Sequence, residues 1–162
     1  MTFSADLEAR WTSLMNRYPA GYRRGALVPM LLYAQDEVGF VSDEVVAEAA
    51  ARLGLSRLQV EEVVSYYSML RRRPMGRHHV QVCTNISCLL RGGEALWEHV
   101  RRRLNLGHRQ TSPDGEFSLE EVECIGACCW APAVQVNYQY HHQVTPERFD
   151  ALLEGLKDGG RA

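Results

Sequence analysis

The sequence predicts an α+β chain: a helical bundle over residues 1–70, followed by a sheet with helices packed on it over residues 78–162. Three observations carry this. Before residue 70, apolar residues recur at helical spacing between capping and stop signals. The stretch "RRRPMGR", residues 71–77, breaks that rhythm and reads as a linker. Beyond it the period changes, and the segments follow in the order β-α-β-β-β-α.

In the first part, Ser4 caps a helix that runs to Tyr18 and stops at Pro19, with Leu7, Trp11, Leu14 and Met15 on one face. A second helix covers residues 24–38 and ends at Gly39; Pro29 inside it predicts a kink or a late start. Ser42 caps a third helix, with Val45, Val46, Ala49, Ala50 and Leu53 in register and Gly54 closing it. Ser56 opens a fourth, whose apolar face is Leu58, Val60, Val63, Val64 and Tyr67. Four helices with short connections make a small bundle.

In the second part, "HHVQVCT" alternates and is rich in valine, so it reads as a strand. "SCLLRGGEALWEHVRRRLNL" reads as one helix, "GEFSLEEVEC" as a strand after the "SPDG" turn, and "AVQVNYQYHHQV" as a hairpin. Thr145 caps a last helix, with Pro146 at its first position and Phe149, Leu152, Leu153 and Leu156 on the buried face. There are no internal repeats and no low-complexity segment.

Composition narrows the class. The chain has 162 residues, 46% of them hydrophobic, 23% charged, with a formal net charge of −2. That suffices for a real core and gives neither a nucleic-acid footprint nor an acidic tail. The N-terminal "MTFSADLEARW" reads as neither a secretory signal nor a transit peptide. The longest apolar run, "ALVPMLLYA", is too short to cross a bilayer. A soluble intracellular protein is expected, and in a reducing cytosol clustered cysteines point to metal or redox chemistry rather than structural disulfides.

The five cysteines fall in two places. Cys83 ends the first strand and Cys88 lies in the opening turn of the next helix; Cys124 ends the second strand, and Cys128 and Cys129 lie in the loop before the hairpin. All are placed at strand ends, toward one edge of one sheet. The spacing is C-x4-C, then thirty-five residues, then C-x3-C. Four thiolates so arranged can hold two irons bridged by two sulfides, two cysteines on each iron. Zinc also takes four cysteines, though usually in tighter knuckles. Dithiol exchange lacks its C-x-x-C motif, and simple core cysteines leave the crowding into two loops unexplained.

The surrounding residues suit a negatively charged cluster. The helix opening at Asn85 to Cys88 offers unpaired N–H groups and a positive dipole end. Thr84 and Ser87 can donate hydroxyls, and Gly126 and Ala127 let backbone N–H groups approach sulfur. Ile125, Trp130, Ala131, Pro132 and Ala133 would form an apolar wall, although for Ile125 and Trp130 ordinary packing is the better explanation. The chain has no G-x-G-x-x-G after a strand and no P-loop, so dinucleotide or flavin binding by this chain alone is not expected. The histidine pairs His78–His79 and His141–His142 are expected at a surface or interface. Arg23–Arg24, Arg71 to Arg73 and Arg101 to Arg103 read as solvated faces, with a partner interface as the other reading.

"VCTNISCLLRGGEAL" followed by "VECIGACCWAPAVQVN" resembles the small iron–sulfur subunit of bacterial complex I, the NADH–quinone oxidoreductase. The resemblance covers nearly the whole chain. "YPAGYRRGALVPMLLYAQDEVGFVS" is similar to that family's helical region, and residues 78–158 to its thioredoxin-like ferredoxin domain. The resemblance implies a [2Fe–2S] cluster on Cys83, Cys88, Cys124 and Cys128. It implies a partner flavoprotein subunit that binds FMN and NADH, further peripheral-arm subunits, and a place on the cytoplasmic side of the inner membrane without insertion. It implies electron transport as part of an enzyme, with no general base, nucleophile or complete active site in this chain. Cys129 departs from the pattern, and a small buried side chain is its expected role, against replacing Cys128 as a ligand. The same subunit type serves NAD-linked hydrogenases and formate dehydrogenases. A zinc-stabilised adaptor without a redox role is the alternative of another class.

Overall fold

The computed structural model describes residues 3–157 and Gly159. The chain divides into two compact units, Met1–Pro74 and Met75–Ala162.

The first unit is helical. α1 (Ala5–Asn16) starts where Ser4 Oγ accepts the Leu7 amide, and buries Leu7, Trp11 and Leu14. It stops two residues short of the expected Tyr18. A 3-10 segment (Ala20–Ala26) then leads into α2 (Leu27–Val38). The sequence placed this helix from residue 24. The later start puts Pro29 in the first turn, where its missing N–H breaks no helical bond. α3 (Asp43–Leu53) is capped by Ser42 and ends at Gly54. α4 (Arg57–Tyr66) carries a capping box in which Ser56 and Gln59 satisfy each other's amides. Leu58 was expected on its apolar face but is 70% exposed. The inward stripe is Val60 and Val64, and Leu58 lies off it. The core gathers Leu7, Trp11, Leu27, Met30, Leu31, Val45, Val46 and Val60. Trp11 Nε1 donates to the Met30 carbonyl at 2.9 Å, so the indole is buried with its polar atom paired. Buried Gln35 accepts the Arg71 amide at 2.6 Å and donates to the Met69 carbonyl at 3.0 Å. Arg72 reaches the Val41 carbonyl and Asp43. The start of the stretch read as a linker is thus held by the helices.

The second unit is a five-stranded sheet, β1 (His78–Cys83), β2 (Gln110–Thr111), β3 (Phe117–Val122), β4 (Val134–Val136) and β5 (Gln139–His141), in spatial order β2-β3-β1-β4-β5. β1 and β3 run parallel and the other pairs antiparallel. Short β2 was not expected; it forms the near side of the hairpin whose turn is "SPDG". The helix expected at residues 87–106 is two, α5 (Ile86–Leu90) and α6 (Gly93–Leu104), broken at Arg91–Gly92. The order is therefore β-α-α-β-β-β-β-α, ending in α7 (Pro146–Lys157). Val80, Val82, Phe117, Leu119, Val134 and Val136 face Leu96, Trp97 and Val100 of α6 and Phe149, Leu153 and Leu156 of α7. At the β4–β5 turn, Asn137 and Tyr138 both take positive φ, as a two-residue hairpin turn requires. The Asn137 side chain bonds the His79 amide and the Arg77 carbonyl at 2.8 Å each, fixing the hairpin to β1.

Candidate metal centre

Because β1 and β3 are parallel neighbours, the segments after the two strands emerge at the same end of the sheet. Cys83 is the last residue of β1; Cys124 lies two residues past β3 rather than on its end. Cys88 is in the single turn of α5, and Cys128 opens a 3-10 turn, Cys128–Trp130. The cysteines thus meet at one end of the sheet, on its inner strands, instead of along an edge.

They meet as two pairs. Cys83 and Cys88 are buried together with Ala127, Ala131 and Ala133. Cys124, Cys128 and Cys129 are exposed. Burial pushes the Cys88 thiol up to about 11; an Ala133 backbone hydrogen bond opposes the rise and the hydrogen-bonding neighbour Cys83 adds to it. Cys128 is also raised, by its hydrogen-bonding neighbour Cys124 first, and Ser87 counters that. Each raised thiol also feels a member of the other pair, Cys88 through Cys128 and Cys128 through Cys83. Cys88 and Cys128 therefore hold their protons near neutral pH. Two dithiol pairs side by side fit a two-iron cluster, which asks for two thiolates on each iron. Among the described residues, no group of three or more His, Cys, Asp or Glu side chains is set to hold a single metal ion.

Donors to the sulfurs come from neighbouring backbone and one hydroxyl. The Gly126 amide donates to Cys124 Sγ at 3.3 Å, and Gly126 has φ +77°, a conformation a side chain would strain. Ser87 serves Cys128 as expected. Thr84 does not serve a cysteine: its hydroxyl donates to Glu121 at 2.9 Å. α5 has one turn, so the dipole expected at its start is small. Three further expectations need correction. Cys129 was expected to be a small buried side chain and is exposed. Trp130 was placed in an apolar wall but is 51% exposed, its ring stacked on His142 with centroids 4.7 Å apart. Ala131 and Ala133 do form that wall. Of the histidines expected at a surface, His78 is buried beside Phe117 with neither ring nitrogen hydrogen-bonded. In the 71–73 and 101–103 arginine clusters, Arg72 pairs with Asp43 and Glu61, Arg101 with Glu98, and Arg103 with Asp150 and Glu154.

Two residues of the site were missed in the sequence. Gly93 opens α6 against the cysteines: a Cβ there would lie 2.8 Å from the Cys88 backbone carbon and oxygen and 3.0 Å from the Cys83 oxygen. The Gly92–Gly93 doublet is the signal for it. Tyr140 donates to the Ile125 carbonyl at 2.9 Å, inside the cysteine loop, and nothing in its local sequence announces that contact.

Residues 11–157 match the family described as thioredoxin-like [2Fe-2S] ferredoxin. The chain belongs to that family. Its cofactor is the [2Fe–2S] cluster. Among relatives of this ferredoxin, the chain is 41% identical to an NADH-quinone oxidoreductase subunit of Rhizobium meliloti over 161 residues, 99% of this chain and 92% of that one. It is 41% identical to an NADH-quinone oxidoreductase subunit of Thermus thermophilus over 162 residues, 99% of this chain and 90% of that one. Among solved structures, a NAD+-reducing [NiFe]-hydrogenase chain superposes with a TM-score of 0.73 at 20% identity, covering 83% of this chain. This ferredoxin spans only 23% of that hydrogenase chain, and the likeness is one of fold. No helix among the described residues is long and apolar enough to cross a membrane.

Proposed function

We propose that this ferredoxin is the electron-transfer subunit of an NADH–quinone oxidoreductase, with Cys83, Cys88, Cys124 and Cys128 as its cluster ligands. The observation that carries the ligand assignment is the pairing itself: one buried dithiol and one exposed dithiol at the shared end of two parallel strands. When bound, the cluster takes up and releases one electron at a time.

The residues of this chain supply the surroundings. The inner pair is shielded from water by Ala127, Ala131 and Ala133. The outer pair is open at the surface with exposed Trp130 two residues past Cys128, and the exposed apolar residues Ile86, Leu89 and Leu90 flank Cys88 of the inner pair in sequence. A redox partner approaches from that side. The partner is the flavoprotein subunit that binds FMN and NADH, within a peripheral arm on the cytoplasmic side of the inner membrane. Residues 1–70 dock the chain on it, since the ferredoxin fold is complete without them. Near-full-length likeness to quinone oxidoreductase subunits supports this over a hydrogenase role, for which the likeness extends to the fold alone.

Purification of the native complex and mass spectrometry of its subunits tests the proposal. Recovery with an FMN-containing subunit and quinone oxidoreductase components is expected. Recovery with hydrogenase or formate dehydrogenase subunits instead would overturn the assignment.

A further inference from the structure

The Ile125–Gly126 peptide is bonded on both sides. Its carbonyl oxygen accepts from the Tyr140 hydroxyl at 2.9 Å. Its N–H, on Gly126, donates to Cys124 Sγ at 3.3 Å. The two groups belong to one conjugated plane, so a hydrogen bond at oxygen draws electron density from nitrogen and makes the N–H a stronger donor. Tyr140 lies on β5, opposite Gln135 of β4, so its ring is carried by the sheet and not by the cysteine loop. The positive φ of Gly126 turns the chain just after that peptide, whose N–H lies on the sulfur two residues earlier.

We infer that Tyr140 is a positioning residue of the cluster site, acting through the Ile125–Gly126 peptide to set the strength of the hydrogen bond to Cys124. The inference rests on Cys124 being a cluster ligand. Hydrogen bonds to ligand sulfur favour the more negative, reduced state and so raise the reduction potential. The hydroxyl of Tyr140 therefore holds the potential up. Its removal weakens the N–H···S bond without altering any cysteine.

The test is Tyr140→Phe in the full chain, with Tyr138→Phe as the control on the adjoining turn. The parent is first assayed for iron and acid-labile sulfide. In Tyr140→Phe, cluster content stays at the parent's level while electron binding weakens two- to fivefold. That moves the midpoint potential negative by about 20–40 mV, since tenfold is 59 mV for one electron. The hyperfine coupling of the Gly126 amide proton in the reduced state falls with it. Tyr138→Phe leaves both unchanged. An unmoved potential and coupling in a fully loaded Tyr140→Phe protein would overturn the inference while leaving the ligand assignment intact. Loss of the cluster in Tyr140→Phe would also overturn it, making Tyr140 a structural clamp. A parent without iron and sulfide would overturn the inference and the function together.

Discussion

Replacing Gly93 by alanine tests whether backbone contact between α6 and the cysteines shapes the site. The added Cβ would meet the Cys88 carbonyl carbon and oxygen at 2.8 Å and the Cys83 oxygen at 3.0 Å. Those are main-chain atoms with no rotamer to swing aside. Reaching ordinary contact means opening the α5–α6 junction by about 0.6 Å. Overpacking of that kind costs about 1–3 kcal/mol. Alanine's helix preference returns less than the ~1 kcal/mol it gives in a helix interior, because Gly93 is the first residue of α6. The net loss is therefore about 1–2 kcal/mol, or a drop of about 5–15 °C in the unfolding midpoint for a unit of this size. Because the strain falls on the residues that carry the inner thiol pair, the visible spectrum of the cluster changes as well. Gly155→Ala is the contrast, since nothing lies within 4 Å of its Cβ position in α7. It raises stability by about 0.5–1 kcal/mol. Thermal melts followed at the cluster absorbance and by circular dichroism read both. A Gly93→Ala protein as stable as the parent, with an unchanged spectrum, would refute the reasoning.

Cys128→Ser destroys or severely alters the cluster by replacing thiolate with a harder oxygen ligand. Cys129→Ala keeps the visible spectrum and the reduced-state EPR signal, and with Cys129 exposed its stability stays within about 0.5 kcal/mol of the parent. The reverse pattern would exchange the two roles. Burial, with Arg77 adding to it, holds the buried His78 below the ordinary histidine value, and burial does the same to His141. Both are therefore neutral in the folded chain and bind protons more readily when unfolded. Stability is full above about pH 6.5 and falls as the pH drops through that value toward the depressed folded ones. Denaturant midpoints from about pH 7.5 to 5.5 show the slope, and His78→Leu, which loses no side-chain hydrogen bond, flattens it at little loss near the upper end. Arg52 forks onto Glu8, bonds Glu48 and lies over the Trp11 ring at 5.0 Å. Arg52→Lys loses the fork and lowers the stability of the helical unit by on the order of 0.5–1 kcal/mol. A denaturation curve unmoved by the change would remove Arg52 from that role.

Where a residue's chemistry acts locally, the sequence was readable. Ser4, Ser42, Ser56 and Thr145 cap the helices expected of them, because a cap needs only its own next turn. Alternation located β1, and the "SPDG" turn announced β3. The misses involve partners distant in sequence or geometry finer than periodicity. One helical stripe ran through Gly92–Gly93 and hid the break between α5 and α6, because a glycine doublet lowers helix preference without abolishing the period. β2 is two residues long, below what alternation can signal. Thr84 was free to serve sulfur in the sequence, and only the pairing of β1 with β3 brings Glu121 to its hydroxyl. Spacing placed the cysteines in two groups, yet the contrast between a buried and an exposed pair follows from packing against Ala127, Ala131 and Ala133. Tyr140 reaches Ile125 only because the β4–β5 hairpin folds back toward the cysteine loop.

The most direct measurement is iron, acid-labile sulfide and zinc on protein purified without oxygen, together with the EPR spectrum after reduction. About two irons and two sulfides per chain are expected, with a signal from one unpaired electron in the reduced protein. Stoichiometric zinc with no labile sulfide would contradict an electron-carrying cluster on Cys83, Cys88, Cys124 and Cys128.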